Sequence, residues 1–205
     1  MKIFEVIFDA IEDVFEGHFE DFLVAFTKYV LGINHQVIDV LLFVTTETIL
    51  FGGMISGFLI IKASAPIWPP PGQPRLPIEA TAANTVVLLL SGVALYLAHR
   101  RIQSHKEGAE KALLAAVLLG SFFVLFQGYE WVQLIHEGLT LTSSSLGSFF
   151  YLIVGMHAIH AIAALGFMVY TYSRLRAGWR AKNQLFAVEV LWYFVVGLWP
   201  LIYAV

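Results

Sequence analysis

The sequence predicts an all-α integral membrane protein that is built around a bundle of five membrane-spanning helices. Hydrophobic residues make up 59% of the 205 residues and charged residues only 13%, whereas a soluble domain carries about 25% charged residues. This composition excludes a water-soluble globule. Five stretches are long and apolar enough to cross a hydrocarbon core about 30 Å thick. They are 37–61, 78–98, 112–135, 146–172 and 185–205.

The 36 residues before the first span predict an amphipathic helix with an acidic polar face. Large apolar residues recur at helical spacing from Phe4 to Phe26, and carboxylates fill the opposite side. The acidic residues are Glu5, Asp9, Glu12, Asp13, Glu16 and Glu20. Because helices that lie on anionic lipid usually carry Lys and Arg, we expect this helix to dock on a partner subunit or on the bundle. A simple interfacial anchor is the alternative.

The links between the five spans are short, so residues 37–205 are expected to form one domain of antiparallel neighbouring helices. The links are a proline-rich one (65–74), a charged one (99–111), a Ser/Thr/Gly one (137–147) and a basic one (174–182). Small residues let transmembrane helices approach closely, and we expect this of five glycines in the first and third spans. They are Gly52, Gly53, Gly57, Gly120 and Gly128.

The distribution of basic residues predicts the orientation in the membrane. Loops rich in Lys and Arg stay in the cytoplasm, and all basic residues except Lys62 and Arg75 fall on one side of the five spans. The N-terminus is therefore expected inside and the C-terminus outside, in a bacterial plasma membrane. The first residues lack the pattern of a signal peptide.

Two further properties exclude whole classes of function. The chain has no cysteine, which excludes disulfides, iron–sulfur clusters and cysteine-ligated zinc. The net charge of −3 leaves no basic surplus for nucleic acid, so no nucleic-acid partner is expected.

Ionisable side chains inside the spans mark the candidate functional positions, because a charge at mid-bilayer costs at least about 2.5–3.5 kcal/mol. Four of them could form an intramembrane polar cluster. They are Glu47 in the first span, Glu130 in the third, and His157 and His160 on one face of the fourth. Two carboxylates near the inner side, Asp39 and Glu189, are candidate proton-collecting groups.

Three interpretations of the four-residue cluster are open. The histidines and a carboxylate could hold zinc or iron, although the Glu-x-x-His pairs of di-iron bundles do not occur. One histidine could be an axial haem ligand. In the third interpretation, which we favour, the histidines donate hydrogen bonds to Glu47 or Glu130 and no metal or cofactor is bound by this chain.

Five motifs follow one another along the spans. They are TTETILFG at 45–52, WPPPG at 68–72, NTVVLLLSG at 84–92, QGYEW at 127–131, and GSFFY at 147–151 with GMHAIH at 155–160. Together they resemble subunit III of the haem–copper oxidases, the cytochrome c and quinol oxidase family, in its short five-helix bacterial form. The last motif is the most specific, and the resemblance covers 37–205.

The resemblance implies a subunit of an oxidoreductase complex that has no catalytic residue and no redox centre of its own. Haems and copper would belong to partner subunits I and II, while this chain packs on subunit I, holds phospholipid and sustains proton uptake. In the last span, Tyr193 and Val196 replace a family His and Asp, and Phe186 has the spacing of a family Glu. Two alternatives are open. The chain could be an accessory subunit of another respiratory complex, such as nitric oxide reductase or a larger supercomplex. It could also be a stand-alone proton channel or transporter.

Overall fold

The computed structural model describes residues 35–70, 72, 74, 77–104, 107–178 and 182–205. These residues form five α-helices, which are α1 (His35–Ser64), α2 (Ile78–Gln103), α3 (Ala109–His136), α4 (Ser145–Arg176) and α5 (Lys182–Ala204). All five are long and apolar enough to span a membrane, which confirms the predicted all-α membrane bundle. The predicted amphipathic segment, 1–36, lies outside the described residues except for 35–36, with which α1 begins.

Two helices continue well past the hydrophobic stretches that predicted them. Helix α2 ends at Gln103 and α4 at Arg176, and both carry two arginines in the last turn. Cations are favourable at a helix C-terminus, and a long arginine side chain can bury its stem and keep its charge in water. A span predicted from hydropathy ends near the first basic residue, whereas the helix continues beyond it.

The chain divides into two compact units, residues 1–43 and 44–205, and only residues 35–43 of the first are described. In the second unit, α2 packs against α3 and α5, and α4 packs against the same two helices. The four helices therefore form a closed ring. Its centre is filled by fully buried side chains from all four members, which are Leu88, Leu95, Leu113, Met168 and Trp192.

The part of α1 in the second unit attaches to this ring through a few side chains. Phe51 and Phe58 are buried in a smaller cluster with residues such as Leu134, Leu146 and Ile153, while most other α1 residues are half-buried or exposed. Lys62 Nζ donates a hydrogen bond of 2.8 Å to the backbone oxygen of Val205. We call this end of the bundle, where α1, α3 and α5 end and α2 and α4 begin, the Lys62 end.

Of the five glycines that were expected to allow close approach, Gly120 lies against a neighbouring helix more closely than a side chain permits, and Gly57 lies at ordinary van der Waals distance. A Cβ added to Gly120 would lie 2.7 Å from the Trp192 ring, and one at Gly57 would lie 3.5 Å from Phe149. For the other three, no atom of the described residues lies within 4 Å of such a Cβ, so the expectation was wrong for this part of the chain. The three glycines are Gly52, Gly53 and Gly128. Glycine in a transmembrane helix favours a close contact only on a face that meets another helix.

Candidate functional site

Glu47 of α1 and His160 of α4 face each other inside the spans. His160 Nε2 lies 3.2 Å from Glu47 Oε2, and both side chains are less than one-fifth exposed. His160 Nδ1 lies 2.8 Å from the backbone oxygen of Met156. A carbonyl oxygen only accepts, so Nδ1 carries a hydrogen. Glu47 Oε2 lies within ion-pair distance of Nε2 but has no hydrogen-bond partner among the described residues.

Aromatic rings surround this pair. Phe51, one turn after Glu47, is fully buried, and its ring centroid lies 5.8 Å from that of His160. The ring centroid of Phe194 in α5 lies 6.1 Å from those of Phe51 and His160. Polar contacts are electrostatically stronger in such apolar surroundings than in water. The pair therefore joins α1 to α4 at a depth where water competes little.

His157 lies beside this pair but makes different contacts. It is 1% exposed, and neither ring nitrogen has a hydrogen-bond partner among the described residues. Its ring stacks on that of Trp199 with a centroid distance of 5.1 Å and an interplanar angle of 30°. The expectation that both histidines donate to Glu47 or Glu130 is thus wrong for His157. Side chains three residues apart on a helix differ in direction by about 60° around the helix axis. The two histidine side chains therefore point in different directions.

Glu130 was expected to contact a histidine, but it bonds to a residue of α2. Thr81 Oγ1 donates to Glu130 Oε2 over 3.2 Å. One turn deeper, Asn84 Nδ2 donates to Gln127 Oε1 over 3.4 Å and to the Phe123 backbone oxygen over 3.1 Å. These bonds join α2 to α3. They satisfy polar groups that lipid cannot.

Two tryptophans extend this series of bonds from α5 to α2. Trp199 Nε1 donates to Thr85 Oγ1 over 2.9 Å, and Trp192 Nε1 donates to Ser91 Oγ over 3.0 Å. We call these five hydrogen bonds of α2 with α3 and α5 the polar ladder. Its α2 members are Thr81, Asn84, Thr85 and Ser91. Sequence reasoning missed these residues as a site. Their helical spacing in the second span was the signal that could have identified them.

At the opposite end of the bundle, Glu189 is buried against His99. Glu189 Oε1 lies 2.6 Å from His99 Nδ1, and the side chains are 7% and 28% exposed. Gln103 Nε2 lies 2.7 Å from His99 Nε2. Since the amide nitrogen donates, Nε2 accepts and Nδ1 carries the hydrogen that bonds to Glu189. The other predicted inner-side carboxylate, Asp39, is exposed on α1.

One departure from the family pattern in the last span, Val196, packs against an apolar helix face. Val196 packs against α2, because a Cβ at Gly92 would lie 3.3 Å from a Val196 methyl group. Tyr193 remains 38% exposed. Across the described residues, no three His, Cys, Asp or Glu side chains come together in a way that could hold a metal ion.

Comparison with known proteins identifies the family. The family model described as "Cytochrome c oxidase subunit III" matches residues 8–205. A cytochrome c oxidase subunit 3 from Loxodonta africana is 29% identical over 203 residues, which is 94% of this chain and 73% of the relative. A probable cytochrome c oxidase subunit 3 from Nocardia farcinica is 28% identical over 84% of this chain and 89% of the relative. A subunit 3 from Synechocystis is 27% identical over 82% and 73%. The chain therefore belongs to the cytochrome c oxidase subunit III family.

Proposed function

We propose that this subunit III of a haem–copper terminal oxidase packs directly on subunit I, binds phospholipid, and sustains proton uptake and the turnover lifetime of the complex. Haems and copper reside in subunits I and II, and this chain binds no metal or redox cofactor. Its N-terminus is cytoplasmic and its C-terminus lies on the outer side of a bacterial plasma membrane. The complex carries out aerobic electron transport coupled to proton translocation.

One observation supports the structural part of this role most directly. Several polar side chains inside the spans connect one helix of this chain to another, through the hydrogen bonds of the polar ladder and the Glu47–His160 contact. The outward faces instead carry large apolar side chains, for example Ile49, Val86 and Ile159. A bundle that uses its polar groups internally and presents an apolar surface is suited to packing against lipid and other membrane subunits.

The proton-uptake part rests mainly on Glu189, at the end opposite the Lys62 end, and on its contact with His99. Glu189 is buried, and His99, which contacts it, is partly exposed. A histidine is suited to pass protons near neutral pH. Asp39, exposed on α1, adds a carboxylate on the side of the chain that we propose is cytoplasmic.

Purification in a mild detergent, with mass spectrometry of the co-purified chains and a haem spectrum, tests the assignment. We expect subunits I and II, copper, and haem a or o. Haems b and c with non-haem iron would instead identify an accessory subunit of a nitric oxide reductase. Recovery of the chain alone, with ion flux after reconstitution in liposomes, would support a channel or transporter.

Substitution Glu47→Ala tests the non-redox role. The change removes the partner of His160 and one of the few contacts that hold α1 to the ring, so we expect a shorter turnover lifetime or weaker retention of this chain in the complex. The haem and copper contents, measured by absorption spectroscopy and metal analysis, should not change. Glu79, an exposed carboxylate at the start of α2, provides the control as Glu79→Ala. Loss of haem or copper in Glu47→Ala alone would contradict the role.

A further inference from the structure

A cavity of about 320 Å³ lies inside the Lys62 end of the bundle. All five helices contribute to its lining, together with the link after α1. Most of the wall is apolar, but it also contains Lys62 on α1, Thr81 on α2, and Gln127 and Glu130 on α3. The cavity is thus bordered both by a cation near the end of a span and by members of the polar ladder.

Glu130 has one carboxyl oxygen that the polar ladder does not satisfy. The side chain is 6% exposed, and Oε2 accepts from Thr81 Oγ1. The other oxygen, Oε1, is buried and has no hydrogen-bond partner among the described residues. An unsatisfied buried acceptor is costly, and more so when it carries a charge. Buried polar groups almost always bond to protein or to ordered water, so Oε1 requires a donor.

Asn84, in the neighbouring contact of the ladder, has a second acceptor of this kind. It is 2% exposed, and its Nδ2 donates to the Phe123 backbone oxygen and to Gln127 Oε1. Because a carbonyl oxygen only accepts, the atom that faces Phe123 is the amide nitrogen. Asn84 Oδ1 then has no partner among the described residues. A water molecule brings two O–H donors, which is what a pair of acceptors needs.

The cavity has both the room and the position to admit water. One buried water needs roughly 10–15 Å³ and two to four polar partners, so about 320 Å³ holds several. Lys62 lies in the last turn of α1, where its ammonium group can reach the aqueous boundary. Glu130 precedes the end of α3, at His136, by six residues, which is a depth of about 9 Å. The cavity therefore extends from the end of a span to a buried carboxyl group.

We propose that water enters this cavity from the Lys62 end and donates hydrogen bonds to Glu130 Oε1 and Asn84 Oδ1. The bundle thus has an aqueous inlet that reaches about 9 Å into the span. This inference goes beyond the proposed function, whose proton-uptake part concerns Glu189 at the opposite end. The inlet brings a second ionisable group, at the other end of the bundle, into contact with the aqueous phase.

Single cysteines test the inlet, because the chain has none of its own. Val154→Cys places a thiol in the cavity wall. Val195→Cys is the matched control, since both valines are buried and each lies nine residues from the Lys62 end of its helix. Val195 does not line the cavity. The thiolate is the reactive form, and burial in apolar surroundings suppresses it, so the rate of labelling reports on contact with water.

The intact oxidase complex, oriented in proteoliposomes, is treated with a membrane-impermeant methanethiosulfonate, and mass spectrometry of this chain measures the rate of labelling. We expect Val154→Cys to react at least about tenfold faster than Val195→Cys, and only with reagent added on the side of the Lys62 end. Glu130→Leu in the Val154→Cys background should slow the reaction at least about threefold, because apolar cavities stay dry. Glu79→Leu, at an exposed position near the start of α2, should leave the rate unchanged.

Equal labelling of the two cysteine variants, or labelling of Val154→Cys only from the opposite side, would overturn the inference. An unchanged rate in Glu130→Leu would also overturn it. Recovery of subunits I and II monitors folding, and if Glu130→Leu does not assemble, the comparison of the two cysteine variants decides alone. Absence of those subunits from the unaltered preparation would contradict the proposed function, whereas a complete complex with a dry cavity would contradict only this inference.

Discussion

Substitution Gly120→Ala is expected to lower the free energy of unfolding by about 1–3 kcal/mol, the cost of adding a methyl group to a packed core. The new Cβ would lie 2.7 Å from two atoms of the fully buried Trp192 ring. Alanine ordinarily stabilises a helix by about 1 kcal/mol relative to glycine, and here the steric cost exceeds that gain. The measurement is an SDS titration of the protein in lipid bicelles, followed by circular dichroism.

A double-mutant cycle identifies Trp192 as the cause. Phenylalanine at position 192 lacks the two ring atoms that Gly120→Ala would meet, so Gly120→Ala should cost much less in a Trp192→Phe background. The matched control is Gly128→Ala in the same helix, where the described part of the chain has no atom within 4 Å of the added Cβ. It should be neutral or slightly stabilising. Equal destabilisation by the two alanine substitutions would contradict the close contact.

Substitution His99→Ala is expected to lower the free energy of unfolding by about 3 kcal/mol, the lower end of the range for removing one partner of a buried pair. The substitution leaves the carboxyl group of Glu189, which is only 7% exposed, without the histidine that contacts it. The lower end applies because His99 itself is partly exposed. The same SDS titration measures the effect.

The double variant His99→Ala/Glu189→Leu should recover much of this loss, because an apolar side chain does not need a polar partner in that position. As a control, Gln103→Ala removes only the hydrogen bond to the more exposed ring nitrogen, at a cost of about 0.5–1.5 kcal/mol. If His99→Ala cost no more than Gln103→Ala, the contact with Glu189 would contribute nothing to stability.

The five spans could be predicted because hydropathy reports directly on the lipid that surrounds each helix. The motif order also predicted the family, which the comparison confirmed. The helix ends were less predictable, since arginine side chains at the ends of α2 and α4 lower the hydropathy without ending the helix.

The partners of the intramembrane polar groups could be predicted only in part. Helical spacing places side chains on one face of their own helix, but it does not say which helix that face meets. Glu130 was expected near the histidines and instead bonds to Thr81. His157 was expected to donate a hydrogen bond and instead stacks on Trp199. Both differences depend on the rotation of a helix about its axis, which is set by packing against its neighbours.

Helix α1 is attached less firmly than the other four helices, and this difference determines where unfolding begins. The polar ladder cross-links α2 with α3 and α5, and α4 shares a common core with these three helices. By contrast, α1 from residue 44 onward is held mainly by two buried phenylalanines and the pair with His160. Regions with few buried contacts open at the lowest free energy. The backbone amides of α1 should therefore exchange hydrogen for deuterium before those of α2, and the separation of this single helix would be the first step of unfolding.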